Sequence, residues 1–380
     1  MNTLSATSIA TFKACPYRYY YRYVLGLVPI IETDATRMGS NWHRIQEIAN
    51  MVPNSPCGEC KNSLTCSLCA GTGTLPADIM DAVIRHLNQA YAIMPVNKTV
   101  EEWETERTIL LYSLIGYQWL YQDPGYTVEK LEQKFRVPLV SPMSGRKLAA
   151  ELIGKIDRTF SAGDNRFIHE YKSTSKGIEP DSTYWNRLTL DTQTRLYTYA
   201  ARVLGLGQIG VLYDVWHKPK SAPKMLTQAD SKLFGETSEY CGEKFMLLMG
   251  TTPDAETGIQ IPCAVNGHPC EIEPGKKPGT FAIRETPEMY GARLLQDITT
   301  RPEYYFARKE IAHNDADIKA FEWELFNIYQ SIRLMGRNNT WFRNEASCEA
   351  TYSCPYLNFC YNNIEIKPGD VPDSFRKVGD

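Results

Sequence analysis

Residues 154–172 read GKIDRTFSAGDNRFIHEYK. Two β-prone arms, Leu148 to Phe160 and Arg166 to Tyr171, flank Ser161-Ala162-Gly163-Asp164-Asn165, which is a hairpin turn by composition. Alternate side chains of a strand share a face. Glu170 and Lys172 therefore point together while Tyr171 points away, and hairpin register brings Asp157 opposite Glu170. Two carboxylates and an ammonium then converge. Carboxylate oxygens suit Mg²⁺ or Mn²⁺. Such an ion polarises a phosphoryl oxygen and acidifies bound water. A lysine beside it can orient or deprotonate that water and stabilise charge developing on phosphorus. Taken alone, the same hairpin also reads as an ordinary salt-bridged surface element.

Working outward, Val128 to Val140 alternates like a further strand, with Pro138 near its end. Thr183 to Leu204 has helical periodicity, and Gln208 to Trp216 alternates again. The pattern is β-β-β-α-β. Helices are expected before it at Leu4 to Leu25 (capped by Ser5 or Thr7, with an aromatic face from Tyr17 to Tyr23), from about Arg37 to Met51 with Ser40 as N-cap, and at 77–93 and 100–122. Two more follow at 286–299 and 314–335. Residues 218–280 are rich in Pro and Gly and read as an irregular insertion. Residues 367–380 read as a loose tail. This predicts an α/β fold, a mixed sheet flanked by helices, as one domain over residues 1–366.

Of 380 residues, 43% are apolar and 11% aromatic, which excludes a disordered chain. Lys and Arg number 41 against 44 Asp and Glu, a net charge of −3. That excludes a polycation that coats nucleic acid, but leaves room for a local basic groove. No apolar run reaches the ~18 residues that span a bilayer. Met1 to Ala14 has no signal-peptide core. A cytoplasmic, membrane-free protein is expected, and in a reducing compartment eleven cysteines point to metal rather than disulfides.

Cys57, Cys60, Cys66 and Cys69 form two Cys-x-x-Cys knuckles in the loop 52–76. Four thiolates at this spacing suit tetrahedral Zn²⁺. Cys348, Cys354 and Cys360 are an incomplete set. Cys15 is the candidate fourth ligand, since Cys15-Pro16-Tyr17 mirrors Cys354-Pro355-Tyr356. Iron–sulfur clusters and zinc both use four thiolates, so spacing does not name this metal. Cys241, Cys263 and Cys270 read as buried or incidental.

Five features occur in order: Gly39-Ser40-Asn41-Trp42-His43, Gly154-Lys155-Ile156-Asp157-Arg158, Glu170-Tyr171-Lys172, Gln193-Thr194-Arg195-Leu196-Tyr197, and the bracket of Cys15 with Cys348, Cys354 and Cys360. Over residues 5–217 and 286–362 the chain resembles the RecB-like, AddB-like branch of the PD-(D/E)XK nuclease superfamily. The likeness extends to its iron–sulfur members, CRISPR-associated 4Fe–4S exonucleases and phage-encoded relatives. The resemblance implies a restriction-endonuclease-like core. It implies Mg²⁺ or Mn²⁺ on His43, Asp157 and Glu170, with Tyr171 in the metal-binding set. Lys172 would position water, Gln193 and Tyr197 would flank the site, and the four bracketing cysteines would hold a 4Fe–4S cluster. The last three cysteines are spaced more widely than is usual in the family, and the 52–76 knuckle is not a general family feature. Glu132 reads as structural.

The implied activity is hydrolysis of DNA, as an exonuclease on ends or single strands, steered by Lys155, Arg158, Lys176, Arg187 and Arg195. Recombination, repair or CRISPR-adaptation proteins are the partners implied. The alternatives are a non-catalytic nucleic-acid-binding scaffold with the same fold, and a zinc chaperone or thiol-redox protein built on Cys57 to Cys69. His86, His169, His217, His268 and His313 have no assignable partner, and His169 should face away from Glu170.

Overall fold

A computed structural model describes residues 3–60, 65–123, 125–206, 210–250, 262–350 and 353–378. Its centre is a six-stranded mixed sheet built from β1 (Thr3–Leu4), β2 (Tyr126–Val140), β3 (Lys147–Ala162), β4 (Asn165–Thr174), β5 (Gly210–His217) and β6 (Phe306–Ile311). β2 runs antiparallel along nearly all of β3. The other edge of β3 is shared. β4 pairs antiparallel with it from Arg158 to Ala162, and β1 pairs parallel at Glu151 and Leu152. β5 continues the sheet parallel to β4, and β6 closes it antiparallel to β5. The strands expected from alternation are present. β1 and β6 are additions: one is two residues long, and the other follows a helix end with no turn signal before it. Gln208 and Ile209, expected to open β5, lie outside the described residues.

Helices cover both faces. On one side α1 (Ala6–Ala14), α5 (Thr192–Val203) and α7 (Asp315–Asn338) pack on Val137, Ile156, Ile168 and Val215. On the other, α2 (Asp34–Ala49), α3 (Ile79–Ala90), α4 (Val100–Leu120) and α6 (Pro287–Thr300) pack on Tyr171, Trp216 and Phe306. Trp42 of α2 stacks on Trp216 of β5 at 4.4 Å between ring centroids. Among the described residues no helix is long and apolar enough to cross a membrane.

Several boundaries differ from expectation for local reasons. The 4–25 helix is three pieces. Pro16 forces Cys15 into an extended conformation (φ −162°, ψ 115°), so α1 stops at Ala14 and a new turn starts at Pro16. That turn, Pro16–Tyr19, runs into a π-helical turn, Tyr20–Val24. Ser5 is the N-cap of α1, in a reciprocal capping box with Ser8. α2 is capped by Thr33, and Ser40 sits mid-helix. The 183–204 helix breaks into Thr183–Leu188 and α5, because Asp191 accepts from the amides of Gln193 and Thr194 as an N-cap. Residues 218–280 are not irregular: a helix, Gln228–Thr237, and short strands enclose Phe234, Phe245 and Val265. Residues 251–261 of that segment lie outside the described residues. The tail is tied down, since Phe375–Lys377 pairs antiparallel with Leu27–Pro29 and Phe375 stacks on Tyr356.

Between the sheet and α4 lies a buried polar network. Asp214 Oδ2 accepts from Tyr117 Oη at 2.6 Å and from Arg308 Nε at 2.9 Å, and it contacts His169 Nε2 at 2.9 Å. Arg158 reaches His169 Nδ1 and donates to Asn50 Oδ1 at 2.6 Å. A guanidinium only donates. Nδ1 of His169 is therefore the bare nitrogen, and Nε2–H donates to Asp214. Burial pushes the His169 pKa down to about 4, against the pull of Asp214, so the ring is neutral. Removing one partner of such a network leaves the others buried and unpaired. Asp214→Ala is expected to lower the unfolding free energy by about 3–5 kcal/mol, measured by urea denaturation.

Candidate active site

The shared edge of β3 leaves a notch. Leu152 pairs with β1 and Arg158 with β4, so residues 153–157 have no strand partner on that side. Two side chains serve the backbone there. Tyr197 Oη donates to the Lys155 carbonyl at 2.8 Å, and Tyr171 N donates to Asp157 Oδ2 at 3.0 Å. Side-chain alternation also breaks here. Ile156 joins the α5 layer, whereas Arg158 packs over Tyr171 on the α4 side. Glu132, across from the break on β2, has φ +50° and forms an ion pair with Lys155. A non-glycine residue in that region costs on the order of 1–3 kcal/mol, and such residues cluster at functional sites.

Into this notch come groups from three elements. His43, on α2, places Nδ1 3.1 Å from Asp157 Oδ2. Glu170 and Lys172 are in contact on one face of β4, as alternation requires. Gln193 Nε2 of α5 donates to Glu170 Oε1 at 2.7 Å and to Tyr197 Oη at 2.6 Å. His169 and the Tyr171 ring face the opposite layer, and Asn50 donates to the Tyr171 hydroxyl at 3.3 Å. Only the Tyr171 backbone reaches the site.

The electrostatics favour a cation. Glu170 is fully buried, and its Oε2 has no hydrogen-bond partner. Burial pushes its pKa up to about 7, with the nearby Asp157 charge adding to the rise and Lys172 opposing it. Asp157 is also buried, but His43 and then Lys172 and the Tyr171 amide hold it below the ordinary aspartate value. For Lys172, burial pulls downward, yet Glu170 and Asp157 outweigh it and keep the ammonium above the usual lysine value. A buried carboxylate oxygen without a partner, near the second carboxylate of Asp157, is a group that a divalent ion would satisfy. His43, Asp157 and Glu170 are not drawn into one tight cluster, because Lys172 and Gln193 hold Glu170.

The two cysteine groups differ in geometry. Cys57, Cys66 and Cys69 lie within 4.8 Å of one another, with Cys57 and Cys66 Sγ 3.8 Å apart. Four sulfurs at ~2.3 Å from one zinc would be about 3.8 Å apart. Burial raises the Cys69 thiol, but hydrogen bonds from Cys60, the Gly73 and Gly71 amides and Cys66 carry its pKa down to about 6. Arg44, next to His43, donates to Glu59 at 2.6 Å, and Arg85 to the Leu68 carbonyl at 2.8 Å, so the loop is braced on α2 and α3. Leu68 and Leu75 are buried with Trp42, an apolar anchor for a loop that reads as polar. Cys15, Cys348, Cys354 and Cys360 instead line a cavity of about 170 Å³. Among the described residues these four provide no set of three ligand atoms within 4.8 Å.

Other expectations need correction. Arg158 and Arg195 are buried and committed to internal partners, so neither steers a substrate. Lys176 and Arg187 are exposed. Cys263 is exposed, and Cys241 and Cys270 are only half-buried. The other histidines have partners or neighbours: His217 meets the Tyr304 carbonyl at 3.0 Å, His268 meets Glu288 at 3.1 Å and His313 meets Thr194 at 2.9 Å. Burial, then Arg44, pushes His86 down to about 4. Arg44–Glu59 and the Asp214 network carry no spacing signal and were not legible in the sequence.

A family model described as the PD-(D/E)XK nuclease superfamily matches residues 3–361. No curated protein matches the chain significantly. With nearly its whole length matched, the chain belongs to this superfamily of metal-dependent nucleases.

Glu170 holds its proton more tightly in the folded state than in the unfolded one. The metal-free protein should therefore lose stability as pH rises from about 4.5 through about 7. Against Glu170→Gln, which carries no charge, wild type should fall by on the order of 3 kcal/mol across that window. Denaturant unfolding at stepped pH measures it. A difference that does not change with pH contradicts the assignment.

Proposed function

We propose that this member of the superfamily is a Mg²⁺- or Mn²⁺-dependent deoxyribonuclease of the RecB-like branch, acting as an exonuclease on DNA ends or single strands. The observation that carries this is the buried Glu170 Oε2 without a partner, in a site that also holds Asp157, Lys172 and His43. Glu170, Asp157 and His43 are the proposed holders of the ion, with Tyr171 contributing only through its backbone. When bound, the ion would polarise the phosphoryl oxygen and lower the pKa of a water.

The remaining roles belong to the chain. Hydrolysis forms a bond from water oxygen to phosphorus and breaks one ester P–O bond; in net, one water proton ends on the departing alcohol and the other on the new phosphomonoester. Lys172, held charged, has no lone pair to accept a proton. Its role is to orient the water and stabilise charge on the phosphorane. Gln193 fixes the Glu170 carboxylate, and Tyr197 closes the unpaired Lys155 carbonyl that precedes Asp157. Glu132, on the strand that pairs with the other edge of β3, holds Lys155. Exposed Lys176 and Arg187 are candidates for phosphate contacts. Recombination, repair or CRISPR-adaptation proteins are the proposed partners.

Asp157→Ala and Lys172→Ala should each lower Mn²⁺-dependent cleavage of end-labelled linear DNA by about 10³-fold or more, with far-UV circular dichroism unchanged. Wild-type cleavage by both variants would remove this reading and leave a binding scaffold. Closed circular DNA resisting the wild type would support an exonuclease.

The two cysteine groups are proposed to hold different metals: Zn²⁺ on Cys57, Cys60, Cys66 and Cys69, and a 4Fe–4S cluster on Cys15, Cys348, Cys354 and Cys360. The close approach of Cys57, Cys66 and Cys69 supports the zinc, and the cavity that the terminal four line supports the cluster. Anaerobically purified protein should carry about four irons and about one zinc, with broad absorption near ~400 nm. Cys354→Ser should lose iron and keep zinc, and Cys57→Ser with Cys60→Ser should do the reverse. A colourless, iron-free and fully folded wild type would contradict the cluster.

A further inference from the structure

We infer that the groove between the N-terminal turn of α2 and the cysteine-bearing terminal segments is a binding site for the phosphodiester backbone of a single nucleic-acid strand. This deepens the nuclease reading above and rests on it. The groove has a volume of about 670 Å³. Three of its lining residues, Arg18, Arg22 and Arg376, are cationic, and Glu32 is the one acid among them. In a chain whose net charge is −3, that is a local reversal of sign.

Arg22 hydrogen-bonds the Tyr356 hydroxyl, a neutral group. Among the described residues neither Arg18 nor Arg22 forms an ion pair with a carboxylate. Arg18 Nε is buried without a hydrogen-bond partner. Both lie on the segment after Cys15 where the helix switches to a π turn over Tyr20–Val24, an irregularity frequent at functional sites. Arg376 arrives from the other chain end, held opposite Val28 by the terminal strand pair.

The lining also has an apolar part. Ile30 and Ile31 are 55% and 76% exposed, although large aliphatic side chains are usually covered. A strand of nucleic acid has both chemistries, phosphates for the guanidiniums and base or sugar faces for the isoleucines. The volume suits about two nucleotides and not a duplex. The geometry also connects to the cleavage site. Thr36 lines the groove and His43 lies seven residues on in the same helix. At 1.5 Å per residue the separation along the axis is about 10 Å, or about three nucleotides of a stacked strand. The terminal cysteine cavity shares Arg18 with this groove. The stapled chain ends thereby form one wall of the strand path.

The test uses the metal-loaded full-length protein and 5′-fluorescein-labelled single-stranded oligonucleotides of about 12 nucleotides, with blunt duplex as comparison. Arg22→Ala with Arg376→Ala should raise KM for the single strand at least tenfold. By anisotropy, the slope of log Kd against log salt should fall by about 1.4, as expected for two lost single-strand phosphate contacts. Ile31→Asp, which leaves every arginine in place, should also weaken single-strand binding at least fivefold, so the result does not depend on one variant folding. Wild-type KM and salt slope in the arginine variant overturn the proposal, as does a loss confined to duplex. Wild-type hydrolysis of bis(p-nitrophenyl) phosphate, which is too small to reach the groove, tests the nuclease reading separately.

Discussion

The structure turns on one interruption of hydrogen bonding. β4 leaves β3 after the Arg158–His169 pair, while β1 takes over the same edge only at Leu152. An unpaired stretch inside a sheet is costly because each buried amide and carbonyl needs a partner. Here the partners are side chains: the Asp157 carboxylate for the Tyr171 amide, and the Tyr197 hydroxyl for the Lys155 carbonyl. One of these repairing groups, the Asp157 carboxylate, is also proposed to hold the ion. The opening admits His43 from one helical layer and Gln193 from the other, which an unbroken ladder would keep apart.

Such a site gathers charge that must be stabilised elsewhere. The strand segments that carry Asp157 and Glu170 also carry Arg158 and His169, their immediate neighbours in sequence. These face the α4 side, where Asp214, Tyr117 and Arg308 complete their hydrogen bonds. The polar network therefore holds the strands from behind. Buried charges that are fully hydrogen-bonded fix geometry even when their net contribution to stability is small. Glu170 differs, with one oxygen left unsatisfied, and a site prepared for an ion is expected to be strained without it.

The two cysteine groups staple different things. Cys57 to Cys69 sit in a loop braced by Arg44 and Arg85, so the knuckle is tied to the helix that bears His43. The terminal group joins residues more than 330 positions apart in sequence. It works with an aromatic cluster of Tyr21, Tyr356, Phe359 and Phe375. Closing so long a loop is entropically expensive; the stacked rings offset it, and the proposed cluster would add to them.

Local chemistry wrote much of this into the sequence. The alternation of β3 and β4, the turn between them and the shared face of Glu170 and Lys172 follow from strand geometry alone, and the Cys-x-x-Cys pairs announce a thiolate cluster. The ordered motifs point to His43, Gln193 and Tyr197, and the fold brings their side chains to the notch beside Asp157 and Glu170. Capping and proline effects were less legible: Thr33 and Asp191 won as N-caps over Ser40 and an unbroken helix, because a cap is chosen by where the chain enters the helix. Only tertiary structure decided the rest. Phe375 makes the tail a strand by packing on Tyr356, which composition cannot reveal. Arg158 and Arg195 look like surface cations in sequence and are buried in the fold. Arg18, Arg22 and Arg376 share a groove only because the chain ends meet. Long-range pairing sets burial, and burial decides whether a charge serves the fold or faces a ligand.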